Sequence, residues 1–307
     1  MSEDLVERIA IGLNRSILPD VRAFAGRLAG QTATEGPAAG VLFYGSNLRT
    51  GSLEGVLDFY VLTDGPVESG IWPRVSYHEW NIGAQTLRAK VATMTLATFR
   101  EAAGGNLLDT TIWARFVQPS GLAWARSERD GAEIAQAVAG AARTAGRLAV
   151  ALGPEVGTPE DYWRALFRAT YAAEFRVEKP GREDSILSVN REHFDGLLRV
   201  ALLDAGIGVA DAGEDGHHDA LMRPLMGTPE RVATLRWWRK RRRIGKGYNA
   251  VRLVRASTTF EGAARYAAWK IERHTGVPIH ITPWREKHPV LAAPGVLWQV
   301  WRARHRG

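Results

Sequence analysis

The 307-residue chain has no cysteine, which excludes disulfide bonds and thiolate metal sites and accords with a reducing compartment. It also has no run of the roughly 18 uninterrupted apolar residues that a membrane span requires, so a bilayer-crossing helix is not expected. The opening "MSEDLVERIA" has acids where a secretory signal would have a basic patch followed by an apolar stretch, and the expected location is cytoplasmic. Acidic residues are scarce over the last quarter of the chain. Residues 231–307 hold 18 Lys/Arg against Glu261, Glu272 and Glu286, a net +15, which leaves −8 on the first 230 residues of a chain whose total is +7. Six of the eleven tryptophans lie in that same basic segment. A cationic, Trp-rich end suits a polyanion with an apolar neighbour, either an anionic membrane surface or stacked nucleic-acid bases.

What is present reads as an α/β first half and a mainly helical second half. Two short helices are expected in the first 30 residues, one capped by Ser2 and one opened by Pro19 and stopped near Gly30. Apolar runs at 41–44 and 56–62, the alternating "LRAKVATMTL" at 87–96 and "GLAWARS" at 121–127 suit strands, and the Ala-rich 131–152 suits a helix. The start signal Thr158-Pro159-Glu160-Asp161 opens a helical region and places a domain boundary near 155. Thr228-Pro229-Glu230 repeats that signal, and a further helix is expected from about Thr259 to before Gly276. The expected organisation is a first domain over 1–155, a helical domain over 156–250 and a basic C-terminal segment over 251–307.

The stretch "VLFYGSNLRTGSLEGVLDFYVLTD" at 41–64 joins a strand to a Gly-Ser turn and sets Asp58 inside a second apolar strand. Gly45 and Ser46 can turn backbone N–H groups and a hydroxyl toward a triphosphate, and Asp58 can hold Mg²⁺ against it. An unpaired carboxylate in an apolar strand is costly enough to need a partner. Sites of this kind normally place a second acid two residues on, where this chain has Tyr60. Asp64 shares strand parity with Asp58, but six residues at about 3.3 Å each put it roughly 20 Å away. Glu79 in "YHEWN" is a further candidate.

These residues resemble the nucleotidyltransferase core of the mitochondrial-type phosphatidate cytidylyltransferases, the translocator assembly and maintenance family. "YGS" followed by an apolar strand bearing Asp58 is that family's opening block. "LRAKVATMTLATFREAA", "TTIWARFVQPSGLAWA" and "AEFRVEKPGREDSILSVNREHF" resemble later blocks in the same order, and "RIGKGYNAVRLVRASTTF" is a weaker match. The resemblance implies a nucleotidyltransferase fold with a mixed sheet, a winged-helix-like helical domain after it, and Mg²⁺-dependent formation of CDP-diacylglycerol and pyrophosphate from CTP and phosphatidate. It places Lys90 on the family's lysine, Glu174 on its acidic position as second metal ligand, Lys246 on the nucleotide and Arg176 on the lipid phosphate. Read alone, Lys90 is also a strand-edge lysine facing solvent, and Arg176 a surface ion pair. The chain departs from the family at Asn47, at Glu174 in place of aspartate, and after Lys90, where a glycine is lost.

"RWWRKRRR", with Arg239, Arg241 and Arg242, reads as a membrane or nucleic-acid patch or a solvated face. In "GVLWQVWRARHRG", Leu297, Val300 and Trp301 share a helical face with Trp298 beside it. That is the pattern of an amphipathic interfacial anchor, or of a helix docked on the core. His217 and His218 read as part of a polar loop. The expected partners are CTP, phosphatidate and an anionic membrane surface met peripherally. The rival expectation is an RNA-binding or RNA-modifying protein on the same scaffold, and a third is nucleotidyl transfer to another phosphate- or hydroxyl-bearing acceptor.

Overall fold

The structure is a computed structural model that describes residues 4–31, 36–70, 72–83, 85–173, 182–212, 221–259, 262–287 and 289–304. It is a mixed α/β chain. The first half carries helices α1 (Leu5–Leu13), α2 (Pro19–Gln31), α3 (Ser46–Thr50), α4 (Leu96–Ala103), α5 (Thr111–Phe116) and α6 (Glu128–Leu152). Between them run strands β1 (Ala38–Tyr44), β2 (Leu57–Thr63), β3 (Arg74–Ile82), β4 (Gln85–Thr95) and β5 (Ser120–Ala125). These form one five-stranded sheet in the order β3-β4-β2-β1-β5, with β2 and β4 parallel and the other neighbours antiparallel.

Strand parity sorts the apolar residues onto two faces. Leu57, Phe59, Val61, Val41, Phe43 and Val91 point to one face, which α2 covers with Val21, Phe24 and Leu28. Leu42, Tyr60, Leu62, Ala92 and Met94 point to the other, where α1, α4, α5 and α6 pack. α6 is the centre of that second layer. It is capped by Ser127, whose side chain accepts from the Asp130 N–H, and alanines on several sides let α1, α4, α5 and helices from the later part of the chain approach it.

The later part carries α7 (Pro159–Ala173), α8 (Arg182–Val189), α9 (Arg191–Phe194), α10 (Leu197–Asp204), the strands β6 (Val209–Asp211) and β7 (Met222–Pro224), and α11 (Thr228–Thr259). It ends in α12 (Ala263–Thr275), α13 (Pro283–Lys287) and α14 (Pro289–Arg304). β6 and β7 pair as an antiparallel ribbon, fastened to α7 by the Tyr162 hydroxyl donating to the Met222 carbonyl at 3.1 Å.

The boundary expected near 155 falls in the turn between α6 and α7. The two sides nevertheless share one apolar cluster, in which Leu148 and Ala149 lie with Tyr162, Leu166, Leu198 and Trp238. Asp4 caps α1 by accepting from the Val6 N–H, the role expected of Ser2, which lies outside the described residues with His217 and His218. α2 starts at Pro19 and runs one residue past Gly30. Among the described residues, no helix is long and apolar enough to cross a membrane.

Candidate active site

β1 ends at Tyr44, and the chain leaves it through Gly45 at φ +91°, a backbone conformation that L side chains rarely adopt. A Cβ on Gly45 would also lie 3.2 Å from Asp58 Oδ2, so the turn and the carboxylate are built against each other. Ser46 follows at the start of the single-turn α3. Asn47, a departure from the family pattern, donates from Nδ2 to the carbonyls of Ser52 and Glu54 at 2.8 Å each, and so ties the excursion of the chain between β1 and β2.

Asp58 is the second residue of β2. It pairs across the sheet with Tyr44 on one side and with Lys90 on the other, and leaves the sheet on the face of Tyr60. Burial pushes its carboxyl above the usual carboxylate range, while Lys90 and Arg115 draw it partly back. Arg115, at the end of α5, donates to the Tyr44 hydroxyl at 2.7 Å, and its guanidinium lies 4.9 Å from the centre of the Tyr44 ring. The ring of Tyr60 stands below, 6.0 Å from the same guanidinium and 5.1 Å from the Phe116 ring. The position of the missing acid thus belongs to an aromatic cluster that carries Arg115, and a carboxylate there would be buried among rings.

Gly45, Ser46, Asp58 and Arg115 open into a cleft of about 1120 Å³, closed on its far side by α1 and by the α8–α9 region. Five arginines line it: Arg8, Arg15, Arg49, Arg115 and Arg191. Its carboxylates among the described residues are Asp58 and Glu192. His193 also lines it. Its Nε2 lies 2.9 Å from the Val117 carbonyl, and burial, reinforced by Arg15 and Arg8, holds its pKa at about 4, so it stands neutral at pH 7. A cationic wall around one half-buried aspartate is a place for a polyanion.

No family model matches the chain, and no curated protein matches it. The arrangement therefore rests on its own geometry.

Of the residues singled out in the sequence, Gly45, Ser46 and Asp58 line the cleft together, with Lys90 beside Asp58 in the sheet. Lys90 is exposed on β4, one strand beyond the cleft wall. Glu174 and Arg176 lie outside the described residues, as does the side chain of Lys246 on α11. Asp64 sits at the far end of β2, engaged by Arg126. Glu79, on the edge strand β3, accepts from the Tyr77 hydroxyl at 2.9 Å and pairs with Arg88. Among the described residues, no three His, Asp or Glu side chains converge as a ready cation site. Among the described residues, Asp58 is a carboxylate that could serve Mg²⁺ in the way that ion is commonly held, by one or two carboxylates together with phosphates.

The basic segment divides into two faces. Arg239 and Arg242 are exposed on α11. Arg241, grouped with them in the sequence, is buried at 6% exposure and donates to the carbonyls of Gly105 at 2.6 Å and Leu107 at 2.8 Å. Its guanidinium stacks on Trp237 at 3.9 Å, so it clamps a helix and cannot face a membrane. Trp237 and Trp238 pack on Trp113; Trp238 is buried there, and Trp237 is half-buried with Arg241 over its ring. Trp298 and Trp301 on α14 are 57% and 58% exposed.

Five cleft arginines escaped the sequence reading because none stands in a run. The available signal was α1 itself, whose apolar face of Leu5, Ile9 and Leu13 leaves Arg8 on another side.

Proposed function

We propose that the chain is a nucleotidyltransferase that joins the CMP moiety of CTP to a phosphate-bearing acceptor, phosphatidate, at a membrane surface. The observation that carries this reading is the half-buried Asp58 set against the Gly45 turn in the wall of an arginine-lined cleft. On this reading β1 to β5 with the helices behind them form a nucleotidyltransferase fold, and α7 to α10 with the β6–β7 ribbon form a winged-helix-like unit.

The chemistry asks for alignment and charge neutralisation. An acceptor phosphate oxygen attacks the α-phosphorus of CTP, a new P–O bond forms, and the bond to the bridging oxygen breaks with its electron pair leaving on pyrophosphate. The acceptor is already an anion, so no strong general base is needed. The Gly45 backbone and Ser46 cradle the triphosphate, while Lys90 and Arg115 offset its charge. Asp58 would hold Mg²⁺, which when bound neutralises charge on the phosphates. The exposed Trp298 and Trp301, with Arg239 and Arg242, suit contact with an anionic leaflet, where each basic residue contributes about 1 kcal/mol.

The test is to supply labelled CTP, Mg²⁺ and phosphatidate and look for a CDP-lipid. Product is expected, lost in Asp58→Asn. Product with a different nucleotide or acceptor would move the reading to that chemistry. RNA binding with a steep salt slope, together with indifference to anionic vesicles, would overturn it.

A further inference from the structure

The cleft holds more cation than one triphosphate end accounts for. Arg49 and Arg115 stand with Gly45, Ser46 and Asp58, but Arg8, Arg15 and Arg191 come from α1, the chain just after it, and α9. Arg8 is partly spent on backbone, since its Nη2 donates to the His193 carbonyl at 3.5 Å and to the Asp195 carbonyl, fastening α1 to the end of α9. Arg15 is different. It is half-buried, its Nε donates to the Gly12 carbonyl at 2.8 Å, and among the described residues no carboxylate pairs with it. Burial lowers its pKa, the direction expected of a cation taken from water without a counter-charge. Room for its stem is made by Gly121, where a Cβ would meet Arg15 Cγ at 3.4 Å and Ile17 Cδ1 at 2.8 Å. The neighbouring His193 supplies no negative charge. The nearby carboxylate on the cleft wall is Glu192, set beside the cation Arg191.

The same cleft also carries exposed apolar side chains. Ile11 on α1 is 69% exposed and Val189 on α8 is 50% exposed, and both line the cleft with the buried Ile186. Arginines and exposed apolar side chains lining one cleft fit a ligand whose anionic head is joined to an apolar tail.

We propose that Arg15 and Arg191, supported by Arg8, form a second anion-binding pole of the cleft that takes a phosphate monoester, separate from the Gly45–Ser46–Asp58 end. Its role as the acceptor site rests on the nucleotidyltransferase reading, whereas its existence as a binding site does not. Arg8 positions the pole by holding α1 against α9.

Calorimetric titration of the full chain tests it, with dioctanoyl phosphatidate below its micelle threshold, glycerol 3-phosphate and inorganic phosphate as ligands and CTP as a separate titrant. Arg15→Gln and Arg191→Gln are each expected to weaken the ester at least about tenfold, the loss of one charge-assisted contact, and to leave CTP affinity unchanged within about twofold. Arg15→Lys should recover part of the loss, and thermal unfolding of each variant checks that it is folded. Absence of binding by all three ligands to the wild-type chain, or wild-type affinity in both glutamine variants, would overturn the proposal. Weaker binding of dioctanoyl phosphatidate alone in Ile11→Ser would assign the pole to a lipid headgroup. Equal affinity for all three ligands would assign it to a soluble phosphate. If the ester binds as described and CTP does not bind at all, the pole stands and the transferase reading falls.

Discussion

Asp58 on β2 and Lys90 on β4 are direct partners in a parallel strand pair, so a carboxylate and an ammonium leave the same face of the sheet side by side. The pair has a measurable signature. Burial raises the Asp58 carboxyl despite Lys90 and Arg115, and an acid with a raised folded pKa costs native stability once the pH has climbed through that pKa. Asp58→Asn is expected to melt above the wild type at pH 7 and level with it near pH 3, where both groups are neutral. Its turnover should fall by about 10³-fold or more, as for loss of a principal electrostatic group. Lys90→Met should raise the Asp58 pKa further, read by NMR titration of the carboxyl. Retained turnover in Asp58→Asn would remove that residue from the site.

Gly45→Ala tests the turn. Its φ of +91° is strained for any L side chain, and the new methyl would press on Asp58 Oδ2. A loss of about 1 to 3 kcal/mol in urea denaturation is expected, with a fall in turnover larger than that of Gly51→Ala. Gly51 is also left-handed, but nothing lies within 4 Å of its would-be Cβ.

Arg241 and its exposed neighbours should separate cleanly. Arg241→Met leaves the Gly105 and Leu107 carbonyls without their charged donor and is expected to cost about 2 to 4 kcal/mol of stability while sparing vesicle binding by the folded fraction. Arg239→Gln with Arg242→Gln should leave stability unchanged within about 0.5 kcal/mol and weaken sedimentation with anionic liposomes, more so at low salt. Trp298→Ala with Trp301→Ala should weaken it at every salt concentration.

His193 should make the fold acid-sensitive. Its native pKa of about 4 lies below the ordinary 6.5, so as pH falls from 6.5 toward 4 the unfolded chain takes up a proton that the folded chain refuses. Stability is full above that window and declines through it, by on the order of 2 to 3 kcal/mol. Urea midpoints measured across pH 4 to 7 should show this slope, and His193→Gln should flatten it.

Much of the sheet was legible because apolar periodicity reports burial. The runs at 41–44, 56–62 and 87–96 correspond to β1, β2 and β4, the three inner strands, and "GLAWARS" to β5. β3 was not legible. "RVSYHEWNI" lies at the sheet edge with mixed exposure, so its pattern is polar and weak. At the site, Gly45, Ser46 and Asp58 announced themselves through turn chemistry and a misplaced charge. The arginines did not, since an arginine's role depends on which backbone it is folded against. Arg241 shows the same limit from the other side: inside "RWWRKRRR" nothing local distinguishes it from Arg242, and only helix phase against Trp113 turns it inward.

The α6 helix has a consequence for how this chain can be handled. Leu148 and Ala149 on it, the strands before it and the helices after it share one interior. A scissor cut between residues 152 and 159 would not release two smaller working pieces. Each fragment would expose the surface its missing half had kept dry, and the expected product is a pair of sticky, aggregating polypeptides. Only co-expression, with both halves present as they emerge, would let them find each other.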